Sequence, residues 1–68
     1  MISPQSQAGQ ILLHLQSGNT ITPLEALHKF NCFRLGARIF DIREHGFNIM
    51  SEPLHENGKV FARYRLIK

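Results

Sequence analysis

Apolar residues recur at spacings of three and four as far as Gly46 and then begin to alternate, a pattern that predicts helices followed by a hairpin. Ala8, Ile11, Leu12 and Leu15 form one stripe, with Ser3-Pro4 as a hydroxyl cap and N1 proline before it and Gly18 as a stop after it. A first helix is therefore expected over about Pro4 to Gln16. Gly9 weakens that helix by about 1 kcal/mol relative to alanine, or permits close packing. Asn19 to Ile21 is too short to stand alone, but isoleucine between two threonines suits a small edge strand paired with the C-terminal hairpin. Thr22-Pro23-Leu24-Glu25 is a capping box with proline where its missing donor costs nothing, so a second helix runs from about Pro23 to Phe30, with Leu24, Leu27 and Phe30 turned inward. Asn31-Cys32 interrupts the pattern. A third helix, Phe33 to His45, buries Leu35, Ile39 and Ile42, ends at Gly46, and sets Arg34, Ala37, Arg38 and Asp41 on its opposite side. Phe47 to Ser51 reads as a strand, Glu52 to Gly58 as a turn segment, and Lys59 to Leu66 as a second strand with Val60, Ala62, Tyr64 and Leu66 on one face and Phe61, Arg63 and Arg65 on the other.

Two helices joined by a tight corner, the second carrying arginines, are the means by which a small domain offers a rod to the DNA major groove. The full order is helix, short strand, helix, helix, strand, loop, strand. The segments TPLEAL, CFRLGARIFDIR and the terminal ARYRL resemble a family of small winged helix-turn-helix proteins of bacteriophages and prophages, over about Ile11 to Leu66. The first ten residues and the HENG segment fall outside any such pattern. The resemblance implies an α+β fold with three helices, a short strand and a C-terminal β-hairpin wing, in a single domain over residues 1–68. It also implies a regulator of transcription acting on double-stranded DNA, with helix 33–45 in the major groove and hairpin 47–66 as the wing.

Composition sharpens this picture only moderately. Sixty-eight residues with 43% hydrophobic content suit one folded domain with a thin core, and leave little room for an enclosed active site. The net charge of +3 and a pI near 9.6 are mild, but placement matters more: before Arg34 the only Lys or Arg is Lys29, so the positive potential belongs to the third helix and the hairpin. Arg34 and Arg38 have the planar fork that matches guanine or phosphate. Asp41 reads a cytosine amine or holds Arg38, and Arg43 completes the DNA-binding set on the helix, its plain alternative being to favour the helix C-terminus. The helix start at Thr22 approaches phosphate, while Lys59, Arg63 and Arg65 on the hairpin lie along the backbone or enter the minor groove. The plain alternatives are a solvated helix face with an Asp41–arginine pair, and strand arginines that only guard an edge.

Other chemistries find little to stand on. His14, His28, His45, His55 and Cys32 lack any zinc-ligand spacing, so neither metal nor cofactor is expected. His14 and His28 are placed on solvent-facing sides, and Cys32 in the corner between helices. No nucleophile elbow or phosphate loop is present, so an enzyme is not expected. A lone cysteine and the absence of a leader-like or membrane-length apolar run suggest a cytoplasmic, nucleoid-associated setting. Phe30, Phe47 and Tyr64 belong to the core, whereas Phe40 lies between the basic face and the buried stripe, where it can serve as an exposed anchor. A second reading has the same surface grip a host or phage protein, or a second copy of the chain. A third has the protein bend DNA as an accessory to recombination.

Overall fold

The first helix is capped by Ser6 and begins at Gln7. The computed structural model describes residue 3 and residues 5–67, and α1 spans Gln7–Gln16, so Pro4 itself lies outside the described residues. Ser6, in an extended conformation, accepts the Gly9 N–H on its hydroxyl (3.0 Å), while Ser3 forms the turn before it by accepting from the Ser6 N–H and hydroxyl on its carbonyl. Ser3 and Ser6 carry the same cap chemistry, and the one adjoining the buried stripe of Ala8, Ile11, Leu12 and Leu15 prevails.

Helix α2 is Pro23–Phe30, and its capping box is reciprocal: Thr22 Oγ1 accepts the Glu25 N–H and Glu25 Oε1 accepts the Thr22 N–H, both at 3.2 Å. Leu24 is a correction, being exposed while Ala26 takes the buried position. The proline and the cap fix where the helix starts, but the helix is eight residues long and its phase is set by packing on α1. Thr22→Ala removes the acceptor of a buried cap. It should cost about 1 kcal/mol and lower Tm by about 4–8 °C in a thermal melt followed by circular dichroism.

Asn31 ends α2 in the left-handed region at φ 54°, and the Cys32 N–H returns to the Ala26 carbonyl (3.1 Å), burying Cys32 in the corner. The Gln7 side-chain amide donates to the carbonyls of Phe30 (3.1 Å) and Asn31 (3.2 Å), so the first residue of α1 closes the C-terminus of α2. Helix α3 is Leu35–Glu44, shorter than expected at both ends: Arg34 is its N-cap without a side-chain cap bond, and Phe33 lies outside the helix and is 80% exposed. Gly46 at φ 93° allows the reversal that carries the chain from α3 into the sheet.

Strands β1 (Ile49–Glu56) and β2 (Lys59–Leu66) pair antiparallel around a two-residue turn, Asn57-Gly58, with φ 50° and 74°. Positive φ at both central residues is the hairpin turn whose twist matches the strands. The expected turn over Glu52 to Gly58 is thus mostly strand, and β1 passes through Pro53. Ile21 and Tyr64 exchange both backbone hydrogen bonds (3.0 and 2.8 Å), which makes the short edge strand a single bridge. Tyr64 therefore points its backbone groups away from β1. By alternation so does Ala62, leaving its partner Pro53 with its nitrogen directed off the sheet edge, where no ladder bond is lost.

Ile11, Leu15, Ile21, Ile39 and Ile42, each at most 2% exposed, form the centre of the core, with Phe30, Phe47, Tyr64 and Leu66 packed against it. His14 is another correction: it is half-buried, edge-on to Phe30 at 5.5 Å, with Nε2 3.1 Å from the Thr20 carbonyl. The result is the expected α+β arrangement of three helices, a bridging residue and a C-terminal hairpin.

Candidate nucleic-acid interface

The buried stripe Leu35, Ile39 and Ile42 fixes the rotation of α3 against α1. At about 100° per residue, the side facing directly away from that stripe carries Ala37, Phe40 and Glu44, with Asp41 beside them. Ala37, Phe40 and Glu44 are exposed, Phe40 by 60%. Arg34 and Arg38 lie to one flank of this ridge rather than at its centre. Arg38 Nη1 is 3.4 Å from Asp41 Oδ2, and the Arg38 side chain is only 35% exposed. Asp41 therefore pairs with Arg38, as the helical spacing allows.

Arg43 serves the fold. Its Nε (3.3 Å) and Nη2 (2.8 Å) both donate to the Ile49 carbonyl, tying α3 to the first residue of β1. Thr22 likewise commits its hydroxyl to the capping box and is buried. His45 makes a 2.8 Å contact from Nδ1 to the Asp41 carbonyl.

The hairpin register places Met50, Glu52, Leu54 and Glu56 on the same face as Arg65, Arg63, Phe61 and Lys59. All three hairpin cations thus share one face, as the alternation implied. Glu52 was not among the residues expected in a strand, yet it lies directly opposite Arg63, 3.3 Å from its Nη2 and 4.0 Å from Arg65 Nη2. Alternation continued through Pro53 would have revealed it. Arg65 also reaches the Met50 sulfur at 3.7 Å. Phe61 stands opposite Leu54 and, with Thr22, Leu24 and Lys59, lines a groove of about 230 Å³ between the start of α2 and the hairpin.

Two sets of cations result. Arg34 and Arg38 belong to α3; Lys59, Arg63 and Arg65 belong to β2. Among the described residues α3 packs on α1, α2 and β1 and not on β2, so the two sets are carried by elements that do not pack on each other. Each set is moderated by a carboxylate, Asp41 on the helix and Glu52 on the hairpin. The Nε atoms of Arg38 and Arg63 are buried and without hydrogen-bond partners among the described residues, so both side chains lay their stems against the protein. No cluster of metal-ligating side chains occurs among the described residues, and no described helix is long and apolar enough to cross a membrane.

A family model for the winged helix-turn-helix domain matches residues 6–68, while comparison with curated proteins and with solved structures returns no match. The matched region takes in all three helices, the Asn31 corner and both strands of the hairpin, and the chain therefore belongs to the winged helix-turn-helix domain family.

Proposed function

We propose that this protein is a non-catalytic DNA-binding module that sets the outward ridge of α3 in a major groove and lays the hairpin along the flanking backbone. One observation carries the reading: α3 commits a single stripe to the core and leaves its whole opposite side exposed, while a hairpin with its cations on one face follows at once in the chain. Arg34 and Arg38, on the flank of the ridge, suit phosphates on one wall of the groove, and Lys59, Arg63 and Arg65 suit the backbone beyond it. Thr22 and Arg43 hold the two elements in place. The resemblance in TPLEAL, CFRLGARIFDIR and ARYRL supports a phage or prophage regulator of transcription, acting in the compartment that holds the DNA.

Titration with a generic duplex at low salt, followed by amide NMR, tests this. Shifts should cluster on residues 34–44 and 59–65. With about 4–6 phosphate contacts, log Kd against log salt should have a slope of about 4–5 in magnitude. Absence of shifts throughout would instead favour a protein partner, a reading to which the exposed Phe33 and Phe40 and the carboxylates beside the arginines lend support.

A further inference from the structure

A winged helix that enters a major groove presents its ridge to the base edges and its flanks to the phosphates. In this chain the ridge is not basic. Its groove-facing part is Ala37 and Phe40, within about 60° of each other around the α3 axis, with Gly36 one turn before Phe40. All three are exposed. A side chain added at Gly36 would meet nothing within 4 Å, so the helix surface there is open and low. Nothing in the core accounts for a phenylalanine 60% exposed at this position, because the stripe that anchors α3 lies on the other side.

Adenine, guanine and cytosine present hydrogen-bonding groups at the major-groove edge; thymine alone adds a methyl group. Small residues followed by an aromatic ring make a surface with no hydrogen-bonding group, suited to that methyl and to little else in the groove. Flanking charge sets the occupant apart from an apolar protein surface: Arg34 and Arg38 run beside the strip on one side, where a duplex places its phosphates. Glu44 follows on the same ridge, about 6 Å along the axis from Phe40 and about 10 Å from Ala37, and marks the C-terminal limit of the apolar strip.

We infer that Ala37 and Phe40 read thymine 5-methyl groups, giving α3 a preference for thymine that does not depend on its arginines. This rests on the DNA-binding reading above. The experiment compares a 20-base-pair alternating A·T duplex with the same duplex carrying deoxyuridine for thymidine, by fluorescence anisotropy with the whole protein. A second pair compares alternating G·C duplexes with cytosine and with 5-methylcytosine, which restores a methyl at the same groove edge. Wild type should lose about fourfold in affinity for each contacted methyl removed, and should gain on the methylated G·C duplex. Phe40→Ala, at an exposed position, should still bind both duplexes but with a smaller thymine-over-uracil preference, the part that remains being due to Ala37. Equal wild-type affinity for the thymine and uracil duplexes overturns the inference and leaves DNA binding intact. Failure to bind any duplex overturns both, and points to a protein surface as the occupant of the strip.

Discussion

Ile42→Ala should remove roughly half of this protein's folding stability. Ile42 is fully buried and lies next to Arg43, whose guanidinium ties α3 to β1. Truncating a buried isoleucine removes its transfer free energy and leaves a cavity, at a cost of about 2–5 kcal/mol. Alanine's better helix propensity returns only about 0.5 kcal/mol. For 68 residues the whole stability is of the order of 3–10 kcal/mol. The expected Tm drop is about 10–30 °C, read by circular dichroism, with a matching fall in urea midpoint. Phe40→Ala, which deletes a larger side chain from the exposed side of the same helix, is the contrast: its stability should stay within about 0.5 kcal/mol of wild type. If the two variants melted alike, the assignment of inner and outer faces of α3 would be wrong.

Replacing Arg34 and Arg38 together by alanine should weaken binding to duplex DNA by about 30- to 150-fold at low salt. A charge-assisted contact contributes about 1.5–3 kcal/mol, but Arg38 already pairs with Asp41, so the two together are expected to supply about 2–3 kcal/mol. Since these side chains flank the ridge, the loss should be similar for all sequences, and the salt slope should fall by about one for each phosphate contact removed. Anisotropy titrations at several salt concentrations measure both quantities. A loss confined to G-containing duplexes would place the guanidinium groups on bases instead. Unchanged binding would remove α3 as the element that meets DNA.

Much of this layout could be read before any coordinates. The Thr22–Glu25 capping box, the Leu35–Ile39–Ile42 stripe, the Ile21 bridge and the Asn57-Gly58 turn are local signals, each decided by a few adjacent residues, and each predicted element is present. The misreadings have a common cause, in that a local signal was ambiguous and packing chose. Ser3 and Ser6 both carry a cap hydroxyl, and the helix starts where the apolar stripe can be buried. Pro53 looks like a strand breaker until the Ile21 bridge sets the alternation of β2 and turns the proline nitrogen off the edge. That misreading hid Glu52, and with it the carboxylate that moderates Arg63 and Arg65. The face of α3 expected to point outward, Arg34, Ala37, Arg38 and Asp41, shares only Ala37 with the ridge that stands opposite the buried stripe, Ala37, Phe40 and Glu44: charge marks one exposed row of a ten-residue helix, and the phase of the Leu35–Ile39–Ile42 stripe marks another.

Pro53 has one further effect. The outer rim of β1 is open, and an extra strand from a neighbouring molecule would need a donor at each alternate position along it. At the middle of that row it would find a pyrrolidine ring and no hydrogen to share. That rim of the hairpin is in this way a poor template for a strand from another copy, which guards one side of the ribbon against edge-to-edge growth.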